Sequence, residues 1–290
     1  MNASSTIMLC CAVLAGVVTA SSQETLSRGG PSYASPVVLS ESVNSSADEY
    51  GPAVDRTTNR LLFTSERTGT AQQWWTTWSG TTAERCAGTF NEDGSHRAYV
   101  TVSDGGEAVG VAFVPGERQW VPTLVSVQVE GTLLHMGRPL AAVQTADLDV
   151  FTSQPTLSPD GRRMVFVSDR PGGVGGLDLW MCDRVSPTEW SAPFHLPGTI
   201  NAAGDEVSPR FVSADSLVYA SNSYGGKGGF DVFVAVLRNE AWQEPQPLDV
   251  LNTEFNDTDA VQLPDGSWIV ASDRPGGAGG YDLWLIRRQP

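Results

Sequence analysis

The amino-acid sequence predicts an all-β fold, a β-propeller of four-stranded blades, and three observations carry that expectation. One order of motifs recurs along the C-terminal half with a period near 50 residues. Each copy contains a run that is apolar at every position, so its strand is covered on both faces. The two ends of the chain are complementary, the last copy lacking one strand and the first having one to spare. A period of this length in a β-rich sequence marks stacked supersecondary units that bury a common core.

The clearest copies run from Gln154 to Trp180, from Ser208 to Phe233 and from Leu263 to Trp284. Ser168, Ser221 and Ser272 mark equivalent points at intervals of 53 and 51 residues. Trp190 and Trp242, followed by Pro193 or Pro245 and then Leu196 or Leu248, keep the same step. Within a copy, Pro-Asp-Gly supplies the tight turn between the first two strands. The second strand, 164–167 or 217–220, is apolar on both alternations, as stacking between neighbouring blades requires. A link with four glycines in ten residues then permits a compact loop with positive φ. The third strand begins at Asp178, Asp231 or Asp282 and carries an aromatic two positions on. The fourth follows Trp190 or Trp242.

The N-terminal half repeats this order less faithfully. Asp48-Glu49-Tyr50-Gly51-Pro52 followed by Leu61 to Arg67 opens one blade, and Asn91 to Gly94 followed by Tyr99 to Gly105 opens another, with Trp120-Val121-Pro122 read as a fourth-strand start. Residues 125–150 fit either an enlarged outer strand with a loop or a degenerate sixth blade, so five blades are expected with six as the alternative. Pro36-Val37-Val38-Leu39 before Val43-Asn44 matches Pro193 to Leu196 before Ile200-Asn201. An N-terminal strand is therefore expected to complete the last blade, closing the ring and removing a sheet edge. The ring is expected to be complete in this sequence, or nearly so.

Ahead of the repeats, Ile7 to Val18 is apolar and ends in Thr19-Ala20-Ser21, the pattern of a secretory signal over residues 1–20, although Met1 to Thr6 holds no basic residue. Residues 21–34 are expected to be a flexible segment and 35–290 the propeller. The apolar run is short for a membrane span and no second one exists, so no transmembrane segment should remain after cleavage. Ile7-Met8-Leu9 lacks the small residue that a lipid-anchoring cysteine requires before Cys10. Cys86 and Cys182 then remain, in different blades, and are read as unpaired thiols. A net charge of −15 argues against nucleic acid and anionic lipid as partners.

No catalytic motif is present. His96, His135 and His195 stand apart from any ligand-spaced partner, and there is no zinc-protease, nucleophile-elbow or phosphate-loop pattern. The glycines of 172–176 join two strands and do not open a helix, which removes the nucleotide reading. The binding candidates are loop residues: Asp169, Arg170 and Asp178, with their counterparts Asp231, Asp273, Arg274 and Asp282. Such carboxylates beside a glycine-rich loop suit Ca²⁺. Recurrence in every well-formed blade instead favours scaffold roles, an aspartate capping loop amides and a neighbouring arginine pairing with it, so no metal or other cofactor is expected.

The segments Ser168-Asp169-Arg170-Pro171-Gly172-Gly173 through Asp178-Leu179-Trp180, and Ser272 through Trp284, resemble the WD-type repeat of TolB-like propellers, especially the version found ahead of OmpA-like domains in bacterial envelope proteins. The resemblance is strong in three blades and weak in two. It implies an envelope propeller that holds partner proteins or cell-wall-linked complexes; together with the export signal and the absent catalytic motifs, the expectation is an exported, monomeric, non-enzymatic scaffold for envelope proteins in the periplasm, at the outer membrane or outside the cell. No OmpA-like module accompanies it here, so peptidoglycan binding is not implied. The alternatives are a glycan- or peptide-active propeller, whose site can be assembled from several blades without a linear motif, or a binding protein that uses its central channel for a small ligand.

Overall fold

The structure, a computed structural model, describes residues 31–115, 120–145 and 150–290. The signal reading of 1–20 lies outside the described residues, as does most of the segment 21–34. Residues 32–290 form one compact unit. Among the described residues there is no α-helix, only the 3-10 turn Thr89–Asn91, and hence no helix long and apolar enough to cross a membrane.

Five antiparallel sheets make the ring. Blade one is Glu49–Asp55, Arg60–Ser65, Gln72–Thr77 and Ala83–Arg85. Blade two is His96–Val102, Ala108–Pro115, Trp120–Glu130 and Leu133–Pro139. Blades three and four begin with Thr152–Leu157, Arg163–Ser168, Asp178–Ser186 and with Glu206–Ser213, Ser216–Ser221, Asp231–Arg238. Their outer edges consist of two short pieces, Glu189–Trp190 and Phe194–His195, or Ala241–Trp242 and Gln246–Pro247. Blade five is Asp257–Gln262, Trp268–Ser272 and Asp282–Ile286, with Val37–Val38 as its fourth strand. The count is therefore five. Residues 125–139 belong to the long outer hairpin of blade two, and Trp120 starts that blade's third strand where the sequence suggested a fourth.

The chain ends meet as the complementarity of the termini requires. Val37 pairs with Leu285 and Val38 with Trp284. The pairing extends outward from there: Tyr33 bridges Arg288, and the Gln289 amide donates to the Ser32 carbonyl at 2.8 Å. Ordered contacts thus begin at Ser32, three residues before the boundary expected at 35.

Doubly apolar strands have a simple cause. Successive side chains of a strand point to opposite faces, and each blade face meets a different neighbour. Val165 and Val167 pack with Leu217, Tyr219 and Phe233 of blade four, while Met164 and Phe166 pack with Val109, Val111 and Leu124 of blade two. The same rule gives one apolar cluster at each of the five blade interfaces.

Polar latches fix the blades in register. The Asp48, Asp205 and Asn256 side chains accept hydrogen bonds from the Tyr281, Leu177 and Phe230 amides at 2.9, 2.9 and 3.0 Å, each tying the head of one blade to the glycine-rich loop of the preceding one. Those loops approach the next blade so closely that a Cβ at Gly175, Gly228 or Gly279 would overlap main chain at Gly204, Phe255 or Ala47. Close approach, more than positive φ, explains these three glycines. Asn44, Asn91, Asn201 and Asn252 act as surrogate strand residues. The side-chain oxygen of each accepts from the amide of Leu283, Gln73, Leu179 or Val232, and its NH₂ donates to the carbonyl of that same residue.

Removing residues 32–39 should uncover the outer edge of Asp282–Ile286 and the pocket that holds Leu39. The expected result is a thermal midpoint lower by about 10 °C or more with concentration-dependent association, measured by calorimetry and light scattering. A midpoint that does not change would remove the closing role of that strand.

Candidate functional site at the ring axis

The first strands of the five blades surround the axis in chain order. Each carries a bulge at the same place, between Tyr50 and Ala53, Ala98 and Thr101, Ser153 and Thr156, Val207 and Arg210, and Thr258 and Val261. A bulge bends a strand and adds twist. The residue at its apex adopts the left-handed conformation in every blade: Gly51 (φ 60), Tyr99 (φ 54), Gln154 (φ 52), Ser208 (φ 54) and Asp259 (φ 48). Four of the five have side chains, so each holds a conformation disfavoured by roughly 1–2 kcal/mol for an L-residue. That conformation is held by mutual contacts around the axis.

These five apex residues form a belt, hydrogen-bonded from Tyr99 through Gln154 to Ser208. The Gln154 Nε2 donates to the Tyr99 hydroxyl at 3.2 Å, and the Ser208 amide donates to Gln154 Oε1 at 2.7 Å. The Thr258 hydroxyl donates to Asp259 Oδ2 at 3.3 Å, and Ser208 and the Gly51 amide oppose the rise that burial causes in the Asp259 carboxyl. Gly51 completes the belt by its smallness, for a Cβ there would lie 2.8 Å from Tyr99 Cδ1. The Tyr50 and Tyr99 rings pack at 5.2 Å beside it.

One layer further along the axis, the other side of the bulge places Ala53, Thr101, Thr156, Arg210 and Val261. With the ends of the first strands they line an axial cavity of about 50 Å³, whose mouth carries Arg56 and Asp104 as an ion pair at 3.4 Å. Arg210 is 6% exposed, and among the described residues its Nε and Nη1 have no hydrogen-bond partner. Asp259 is 5% exposed, and its Oδ1 has none. Burial lowers the Arg210 guanidinium from its ordinary value, with Asp259 opposing the shift. Burial likewise raises the Asp259 carboxyl, with Arg210 opposing. Each group senses the other without satisfying it.

The residues singled out from the sequence lie elsewhere, in blades three, four and five. Asp178, Asp231 and Asp282 accept hydrogen bonds from their own glycine-rich loops, at Val174 (2.8 Å), Gly228 (3.0 Å) and Ala278 (2.9 Å). Asp169 and Asp273 accept from the Phe151 and Asn256 amides at 2.7 and 2.8 Å. Arg170 and Arg274 bond Ser168 and Ser272, reach the Val143 and Leu251 carbonyls, and in the case of Arg274 pair with Asp257. The structure does not bring the seven together. His195, which looks isolated in the sequence, lies 3.6 Å from Asp178 Oδ1 and packs edge-on against Trp180. Among the described residues, no group of three or more metal-ligating side chains occurs. Cys86 and Cys182 are free and buried, and burial pushes both thiols up to about 12.

Among the described residues, the arginine latch is complete in blades one and five, half-formed in blades three and four, and absent from blade two, where Arg97 pairs with Ala112 at the equivalent place. Arg67 meets Glu49 and Arg274 meets Asp257, but Arg170 faces Thr152 and has no acid, while Glu206 faces Ser223 and has no arginine. Burial accordingly lowers Arg170, and burial raises Glu206 despite hydrogen bonds from Ala202 and Ser221.

No protein-family model matches the sequence. No curated protein matches it either. Solved structures do match. An endo-arabinase from Bacteroides thetaiotaomicron aligns with a TM-score of 0.56 at 12% identity, over 89% of this chain and 98% of that one. A gluconolactonase from Xanthomonas campestris aligns with a TM-score of 0.53 at 10% identity, over 88% and 89%. TolB from Acinetobacter baumannii aligns with a TM-score of 0.49 at 13% identity, over 84% of this chain and 55% of that one. The chain thus spans about half the length of that TolB. At these identities the likeness establishes the fold alone.

The comparison corrects one expectation. The absent motifs point to a non-enzymatic scaffold, with a glycan- or peptide-active propeller as the alternative, yet solved enzymes share this fold over most of their length. The physical reason lies in the belt: a propeller site takes single residues from separate strands, so a missing linear motif excludes nothing.

Two outcomes follow. Between the ordinary Glu range, about 4.3, and the raised native value, the folded protein keeps a proton on Glu206 that the unfolded chain has released. Stability from this group therefore falls as pH rises through that window. Glu206→Gln should flatten that part of the curve of thermal midpoint against pH, and Ser223→Arg, which supplies the missing latch, should lower the native value and do likewise. Gly51→Ala should destabilise by about 1–3 kcal/mol in chemical denaturation, since it adds both left-handed strain and a clash with Tyr99.

Proposed function

We propose that the protein works through the axis of its ring, binding a small polar ligand in the central channel. The observation that carries this reading is the axial cavity, where the repeat breaks: equivalent positions hold Ala53, Thr101, Thr156, Arg210 and Val261, and the buried arginine among them has unsatisfied N–H groups. An unpaired buried donor is costly, and a site that receives a ligand accounts for its presence. The names of the endo-arabinase and the gluconolactonase support sugars and sugar acids as the first compounds to try. Hydrolysis of a glycosidic bond uses two flanking carboxyls, and the apex belt has Asp259 as its one carboxyl. Binding is therefore the step this geometry supports directly. The apolar N-terminal run and the TolB-like repeat support an exported protein of the cell envelope.

The test is a thermal-shift and calorimetric screen of monosaccharides, aldonic acids and their lactones. Gln262 lines the mouth of the cavity, and Gln262→Trp should block access without entering the apolar core. At about 100 times its Kd, a ligand should raise the midpoint by roughly 5 °C, and Gln262→Trp should abolish the shift. The reading fails if no compound binds, or if binding ignores the blocked mouth.

A further inference from the structure

We infer that the axial cavity is a carboxylate-binding site, with Arg210 as its cation and Thr101 and Thr156 as its hydroxyl donors; the inference rests on the reading that the axis is where a ligand binds. The polar groups of the cavity-lining layer can all donate. Thr101 Oγ1 accepts the Leu157 amide at 3.3 Å and Thr156 Oγ1 accepts the Phe211 amide at 3.2 Å. Each hydroxyl proton is thereby left over, and among the described residues neither hydroxyl donates to the protein. Arg210 lines the same cavity and supplies its positive charge, its enclosed Nε and Nη1 having no hydrogen-bond partner among the described residues. The remaining members of the layer, Ala53 and Val261, are apolar. A layer with one fixed positive charge, two hydroxyl protons and no acidic side chain is complementary to a small anion, and hydrogen bonds to a charged group are the stronger kind.

Charge and size narrow the class. A single guanidinium matches a single negative charge. The cavity of about 50 Å³ offers a few times the space that one ordered water requires, which suits a carboxylate head whose remaining atoms project toward the mouth at Arg56 and Asp104. The Asp259 carboxylate sits in the next layer and attracts the same guanidinium, so it competes with the ligand and does not assist it. The setting sharpens the point: in a chain of net charge −15, a buried arginine without an acid in contact is an anion site placed against the field of the whole molecule.

The experiment titrates the full-length protein with formate, acetate and gluconate, with formamide and acetamide as neutral isosteres, and with nitrate and phosphate as inorganic anions, at constant ionic strength. Calorimetry should find the carboxylates about tenfold or more tighter than their amides and tighter than nitrate or phosphate. Arg210→Met should lose this preference, and Asp259→Asn should tighten carboxylate binding several-fold by removing the competitor. If Arg210→Met does not fold, the comparison of formate with formamide and the response of Asp259→Asn decide the matter. Equal binding of acid and amide, a preference for the inorganic anions, or weaker binding in Asp259→Asn overturns the inference. Should neutral sugars bind and respond to Gln262→Trp while carboxylates do not, the carboxylate assignment falls and the axial reading stands; if nothing binds, both fall.

Discussion

Five twisted sheets that share one axis must each present the same strand position to it, and the rest of the structure follows from that constraint. A strand running straight past the axis would leave its neighbours either clashing or apart. The bulge resolves the conflict by bending every first strand at one residue, forcing that residue into the left-handed region. Gly51 meets this demand without strain; Tyr99, Gln154, Ser208 and Asp259 meet it with side chains held by contacts around the axis, Tyr99, Gln154 and Ser208 by hydrogen bonds to one another and Asp259 by one from Thr258. Strain at the centre is offset by packing further out, where one apolar cluster fills each blade interface.

Outside the centre the ring is held by parts that recur. The Asn44, Asn91, Asn201 and Asn252 amides imitate a paired strand residue, and the Asp48, Asp205 and Asn256 side chains tether successive blades. These devices place polar groups in buried positions without leaving them unpaired, which is what the accounting for buried donors and acceptors requires. Variation among the copies is then informative. Where Ser223 stands in place of the latch arginine, Glu206 is left with hydrogen bonds but no counter-charge, and the cost appears in its titration.

Much of this was legible in the sequence because repetition is a strong signal. Blade order, the doubly apolar second strand, the strand starts at Asp178, Asp231 and Asp282, and closure by Val37–Val38 all depend on features present several times over. The long hairpin of blade two was ambiguous because it has no counterpart to be compared with. The axial site was not legible for the same reason. The apex residues Gly51, Tyr99, Gln154, Ser208 and Asp259 belong to unlike types, and aligned copies that disagree look like drift. A signal did exist: Gln154, Ser208 and Gly51 each precede a proline at one fixed place in the repeat, which marks a backbone feature common to blades whose side chains differ.

The two kinds of residue therefore separate by a physical criterion. A position that does the same job at several interfaces keeps its chemistry, as Ser65, Ser168, Ser221 and Ser272 do where the second strand ends in four of the five blades. A position that faces the axis has a single shared space to fill, so five identical side chains would either collide or present five like charges to one another. Arg210 is tolerable because its four equivalents are alanine, valine and two threonines; a second arginine in that layer would meet the first across a cavity of about 50 Å³. The axis is thus the place in this fold where a repeat must be broken, and a chemically distinct, polar site arises there from the geometry of the ring itself.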